Sequence, residues 1–311
     1  MDKPITIDCE YLQPEFAAAY LLVEGDEAAF VETNTAHAVP RLLEALAKAG
    51  RSPEDVRWVI VTHVHLDHAG GASAVMKACP NATLLAHPRA ARHLIDPSRL
   101  VASAKQVYGD EPFRKLYGEI EPIPAERVRI MEDEETLQWG SRTLRFLHTR
   151  GHANHHFVVH DSSSGGVFTG DAFGLRYPML QSRGLFVLPT TSPTDFDPDE
   201  AKKSVRRIAQ TASSVFLTHF GEVTDIEDAA SQLLRHLEFS GELLDRAAAR
   251  SEAGKELIAY CEAALREHYD GELAARGLQL DAKGWELLNM DLDLNAQGIA
   301  LVAEKRRTAQ S

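Results

Sequence analysis

The chain has 311 residues, of which 44% are hydrophobic, 25% charged and 7% aromatic; these are ordinary globular proportions and exclude a disordered or fibrous chain. A net charge of −13 with no block of lysine or arginine argues against nucleic acid or an anionic membrane surface as the main partner, while leaving room for a small anionic substrate held by one local arginine or metal ion. The N-terminal stretch lacks a basic segment followed by an apolar run, and no run approaches the roughly 18 residues of a membrane span. Cys9, Cys79 and Cys261 are odd in number and widely spaced, so a soluble cytoplasmic protein with buried, reduced thiols is expected.

In chain order, Ala18 to Val23 and Ala28 to Glu32 flank the turn-like Glu24-Gly25-Asp26-Glu27 and read as a hairpin. Leu42, Leu43, Leu46 and Ala49 recur at helical spacing before Gly50, a natural stop. A β-branched buried strand follows at Val56 to Val61, and another strand at Ala82 to Ala86. From Pro88 to Gly118 the pattern is helical, with breaks expected at Pro97 and Pro112. Strands dominate from Val128 to Ala172, with turns at Trp139-Gly140-Ser141 and Ser162 to Gly166. From Pro198 the order is helix, strand (Ser214 to Leu217), then helix. Past Asp225 only helical periodicity remains, over Ile226 to Ala249, Lys255 to Tyr269 and Trp285 to Glu304, the last with Trp285, Leu288, Leu292, Ile299 and Val302 on one face. The alternation over the first 220 residues indicates an α/β body (1–224) with an all-helical C-terminal extension (225–311).

Three of the 14 histidines lie in Thr62-His63-Val64-His65-Leu66-Asp67-His68, directly after the buried strand. On a helix, residues two apart point about 200° from each other, so His63 and His65 converge only where the chain is extended or looped, as at a strand end. Ala69-Gly70-Gly71 then allows a tight turn into the next helix. Imidazoles with a carboxylate suit Zn²⁺, and also Fe or Mn. Four such groups so close in sequence cannot all wrap one tetrahedral ion without strain, which points to two adjacent ions and to further ligands. His152, Asp171 and His219 supply them, each where a strand runs out.

The series Thr62–Gly71, Gly151-His152, Gly170-Asp171 and His219 resembles the metallo-β-lactamase superfamily, in particular its glyoxalase-II-like (hydroxyacylglutathione hydrolase) and acyl-homoserine-lactonase-like members, over roughly residues 5 to 225. The resemblance implies a four-layer αβ/βα sandwich with two metals at one edge. It implies His63, His65 and His152 around one ion, Asp67, His68 and His219 around the other, and Asp171 bridging them. The chain departs from the pattern in Thr149-Arg150-Gly151-His152-Ala153, where many relatives have Thr-Pro-Gly-His-Thr. It departs again in Leu217-Thr218-His219-Phe220-Gly221 and in Gly174, where lactonases often carry a tyrosine.

Five neutral histidines and two aspartates bring a charge of −2 against +4 for two divalent ions, zinc first with iron or manganese as alternatives, so a bridging hydroxide is favoured. The expected reaction is attack of that hydroxide on a thioester, lactone or related ester, with Asp67 or a metal-bound water able to protonate an alkoxide leaving group. An iron-dependent persulfide dioxygenase and a non-catalytic, metal-containing ligand-binding regulator are the alternative readings. His156 is expected to orient a ligand or satisfy a strand end, and Arg176, Tyr177 and Arg183 are candidates for substrate contact. The helical extension is expected to shape the substrate pocket, and its apolar faces leave a homodimer open.

Overall fold

The computed structural model describes residues 3–191 and 195–310. It divides into two compact units: Met1–His148, His155–Gly170 and Thr211–Thr224 form the first, and Thr149–Asn154, Asp171–Gln210 and Asp225–Ser311 the second. The 224/225 boundary coincides with one of these crossings, while residues 149–154 and 171–210 go with the C-terminal helices.

The first unit holds two six-stranded mixed sheets. In one, β1 (Ile5–Asp8), β2 (Ala18–Glu24), β3 (Glu27–Val31), β4 (Val56–Ile60), β5 (Thr83–Ala86) and β6 (Val128–Ile130) lie in chain order. The expected hairpin is β2–β3, and β3 to β6 run parallel. The other sheet runs from the edge strand β12 (Gly221–Val223) through β11 (Ser214–Leu217), β10 (Gly166–Gly170), β9 (Phe157–Asp161) and β8 (Arg142–His148) to β7 (Thr136–Trp139). Alternation along the strands sends Tyr20, Leu22, Val31 and Ile60 of the first sheet into one cluster with Phe146, Phe157, Phe168 and Phe216 of the second. The opposite face of the first sheet packs Leu21, Phe30 and Val59 against α1 (Val39–Lys48), α3 (Ala72–Ala78) and α4 (Pro88–Ile95).

Pro97 does break the helical region, between α4 and α5 (Ser98–Tyr108), but Pro112 does not. It sits in the first turn of α6 (Asp110–Tyr117), where a missing N–H costs nothing, and the second break falls instead at Gly109 with φ +84°. The second unit contains α7 (Pro198–Thr211) up to Gln210, then α8 (Ile226–Ala248), α9 (Lys255–Ala275) and α10 (Ala282–Gln310). α9 and α10 extend past their expected ends. Leu288, Leu292 and Ile299 of the expected stripe are buried, whereas Trp285 and Val302 are partly exposed. All three cysteines are buried free thiols. Among the described residues no helix is long and apolar enough to cross a membrane.

Candidate metal centre

β4 delivers the chain to the site. Thr62, His63, Val64 and His65 continue past its end in irregular backbone, with His65 extended at φ −62°, ψ 146° just before the single turn α2 (Leu66–Ala69). His63 and His65 therefore converge, their ring centroids 4.4 Å apart, and α2 brings Asp67 and His68 to the same place, with His68 4.1 Å from His63. His219, two residues beyond β11, completes the group 5.4 Å from His68. His63, His68 and His219 are buried, while His65 and Asp67 are half-buried.

Three of the rings are oriented by Nδ1. That of His219 lies 2.9 Å from the carbonyl of Phe16, that of His68 3.2 Å from Glu32 Oε1, and that of His63 3.1 Å from Thr62 Oγ1. The Thr62 hydroxyl itself donates to Glu32 Oε1, so its lone pair takes the His63 proton. With Nδ1 as the donor in a neutral ring, Nε2 carries the lone pair. Nε2 of His219 and of His68 stand 3.4 Å and 3.8 Å from Asp67 Oδ2, so acceptor faces acceptor, an arrangement that a shared cation satisfies. The donor set fits a divalent metal: Asp67, His68 and His219 form one cluster, and Glu32, His63 and His68 a second.

Glu32 carries no motif in the sequence and is central to this unit. The residue follows β3 directly, is 1% exposed, and has φ +67°; Asn34 has φ +52°. Such left-handed backbone in non-glycine residues is uncommon and is held here by its contacts. The Glu32 carboxylate ties Thr62, His68 and Thr218 together. Next to it Thr33 Oγ1 donates to the His68 carbonyl at 2.9 Å and Asn34 Nδ2 to the Asp67 carbonyl at 2.9 Å, so one loop fixes the backbone of α2. Gly71 closes the turn, its N–H donating to Asn34 O at 2.7 Å. A Cβ at Gly71 would lie 2.6 Å from Thr33 O, which explains the glycine.

His156 is buried with its ring 4.8 Å from His63, against the Gly170 turn. His155 is half-buried, 5.7 Å from His65. Tyr11, equally without a sequence signal, is near enough to Asp67 that burial and that negative charge push its phenol up.

In the second unit, His152 and Asp171 form the remaining pair, with Nε2 3.3 Å from Oδ2. His152 Nδ1 faces the carbonyl of Thr190 at 3.3 Å, the same tautomer logic as in the first unit. Both line a small cavity with Arg150, Ala172, Pro189 and Leu233. Tyr177 is buried and donates to Asp291 at 3.4 Å; Arg176 is half-buried and Arg183 exposed.

Residues 12–219 match the model of the metallo-beta-lactamase superfamily. Among curated proteins the chain is similar to the metallo-beta-lactamase fold-containing protein ST1585 of Sulfurisphaera tokodaii, 29% identical over 140 residues, which is 44% of this chain and 49% of that protein. It is similar to a probable hydroxyacylglutathione hydrolase of Schizosaccharomyces pombe, 26% identical over 161 residues, covering 51% and 49%. The chain thus spans about half the length of these two relatives. Among solved structures the fold resembles that of ST1585, with 20% identity, TM-score 0.65 and coverage of 96% of this chain and 98% of that one. It also resembles a metallo-beta-lactamase family protein of Thermus thermophilus, with 20% identity, TM-score 0.64 and coverage of 99% and 93%. Two mixed sheets, a helical C-terminal region and clusters of histidine and carboxylate at the strand ends are the expected α/β sandwich with the means to bind divalent metal. With the family model matched over more than half of its length, the chain belongs to the metallo-β-lactamase superfamily.

Proposed function

We propose that the protein is a dinuclear metal-dependent hydrolase of a thioester or a lactone or related ester. The observation that carries this reading is the common orientation of His63, His68, His152 and His219: each Nδ1 is held by a protein acceptor, and Nε2 of the last three faces a carboxylate. In this reading His63, His65 and His152 hold one ion, Asp67, His68 and His219 the other, and Asp171 bridges. Chain connectivity supports the joining of the two groups. His152 is four residues from His148 of β8 and three from His155, which limits its reach to about 10–14 Å from each, and Asp171 directly follows β10.

Divalent ions bound there would activate water at neutral pH and polarise an acyl carbonyl. The chain's own part is to orient the ligands and manage protons. Asp67, with its side chain 29% exposed, would take the proton released by the attacking water and pass it to a departing alkoxide, whereas a thiolate leaves without one. The superfamily consists mostly of hydrolases, and the relatives named for hydroxyacylglutathione, an acyl thioester, favour that substrate class slightly.

The test is elemental analysis of protein purified without chelator, beside assays on a panel of acyl thioesters and lactones and oxygen uptake with a persulfide. About two equivalents of Zn, Fe or Mn with hydrolysis are expected. Two equivalents of metal with no turnover on the panel would favour the metal-containing ligand-binding regulator, less than half an equivalent would overturn the metal-dependent reading, and oxygen uptake without hydrolysis would overturn the hydrolase reading.

A further inference from the structure

The segment after Asp171 is held by its own hydrogen bonds and by side chains of the C-terminal helices. Asn295, 2% exposed on α10, brackets Thr190 on both sides. Its Nδ2 donates to the Pro189 carbonyl at 3.0 Å, and its Oδ1 accepts from the Thr191 N–H at 2.7 Å. The Thr191 hydroxyl adds a bond to the main-chain carbonyl of Asn295 at 3.0 Å. The second of these pinned peptides is the one that carries the Thr190 carbonyl, which faces His152 Nδ1 at 3.3 Å. One turn earlier on α10, Asp291 takes the hydroxyl of Tyr177. Gln232 of α8 binds Leu185 and Val187, and Arg276 binds Leu185 again. Of these contacts, only those of Asn295 flank the carbonyl that orients His152.

We propose that Asn295 is a positioning residue for His152: by fixing the Thr190 carbonyl it sets the tautomer and ring angle with which His152 presents Nε2 to a metal ion. The proposal rests on the reading of His152 and Asp171 as ligands. An amide is suited to this post because it donates to one peptide and accepts from the next, so it substitutes for a strand neighbour on both sides of Thr190. A leucine of similar volume offers neither bond. An aspartate keeps the acceptor for Thr191 but turns a carboxylate oxygen on the Pro189 carbonyl.

The test titrates metal-free full-length protein with Zn²⁺ against a chromophoric chelator, and with Co²⁺ followed by its visible absorption. Wild type is compared with Asn295→Leu, Asn295→Asp and Leu265→Ala, the last a buried apolar position on α9 whose side chain can make none of the hydrogen bonds that hold the segment. Asn295→Leu should weaken Zn²⁺ binding about 10–100-fold and alter the Co²⁺ spectrum. Asn295→Asp should move both in the same direction by less, and it carries the test if the leucine variant fails to fold. Leu265→Ala should change thermal stability and leave affinity and spectrum as in wild type. Asn295 variants that bind Zn²⁺ like wild type, or lose no more affinity than Leu265→Ala does, overturn the proposal alone. A wild-type protein that binds no metal overturns the reading beneath it as well.

Discussion

The ion pair between Arg142 and Asp161 in the second sheet allows a quantitative test of what holds the first unit together. Arg142 Nη1 lies 2.5 Å from Asp161 Oδ2, and the two side chains are 1% and 0% exposed. Asp161 also accepts from the amides of Ser163 and Ser164 and the hydroxyl of Ser164, so its charge is committed to the turn before β10. Arg142 has a second, looser anion in Glu24 at 3.7 Å. Arg142→Met leaves a buried carboxylate without a counter-charge and should cost about 3–5 kcal/mol. Asp161→Asn keeps an acceptor for the turn and leaves the guanidinium its Glu24, so it should cost less, about 1–3 kcal/mol. The double variant removes the Arg142 and Asp161 charges together and should be more stable than Arg142→Met alone. Urea unfolding of the four proteins at matched metal loading yields the cycle directly. Arg142→Met within 1 kcal/mol of wild type, or single costs that simply add in the double variant, would refute the reasoning.

Asp171→Ala should lower metal content and hydrolytic turnover together, as read by elemental analysis and assay; full occupancy in this variant would contradict the proposed bridge. Gly71→Ala should lose about 1–3 kcal/mol, because its Cβ would sit 2.6 and 2.7 Å from the carbonyls of Thr33 and Thr35, and should lose metal as the loop over α2 shifts. Calorimetry and metal analysis check both effects, and a variant with wild-type values in each would show that the loop has room to spare. Burial lowers the pKa of His87 from an ordinary 6.5 to about 3, so the fold favours its neutral form. Its contribution is present above pH 6.5 and is lost progressively as pH falls towards 3. His87→Asn, which can keep the cap bond that His87 Nδ1 accepts from the Arg89 amide, should therefore show a shallower fall in Tm between pH 6.5 and 4. A fall as steep as that of wild type would count against His87 as a source of acid sensitivity.

What is legible in the sequence follows from proximity along the chain. His63, His65, Asp67 and His68 fall within six positions after a β-branched strand, so residue type, spacing and strand end point to one chemistry. Glu32 carries equal weight in orienting His63 and His68 but is 30 residues or more from both, and its role depends on a left-handed backbone that glutamate seldom adopts. β12 is silent in the sequence because three residues beginning with a glycine carry no alternation. A break at Pro112 is the wrong expectation because the effect of a proline depends on which turn of the helix it occupies. The link from Asn295 to Thr191 spans 104 positions and joins residue types common on any surface, so only the fold reveals it.

The interleaving of the two units has a consequence for how the protein is made. The chain passes between them five times, and the stretches that carry His152 and Asp171 leave the ribosome well before the helices they pack with. At about 5–20 residues per second, Thr191 waits on the order of 5–20 s for Asn295 to be synthesised. Nearly all of the first unit, with its own histidines, is complete during that interval. If His152 is a ligand positioned by Asn295, as proposed, metal that reached the nascent chain early would meet His63, His65 and His68 before the Thr190 carbonyl is fixed, and loading with the geometry of the finished protein would await α10.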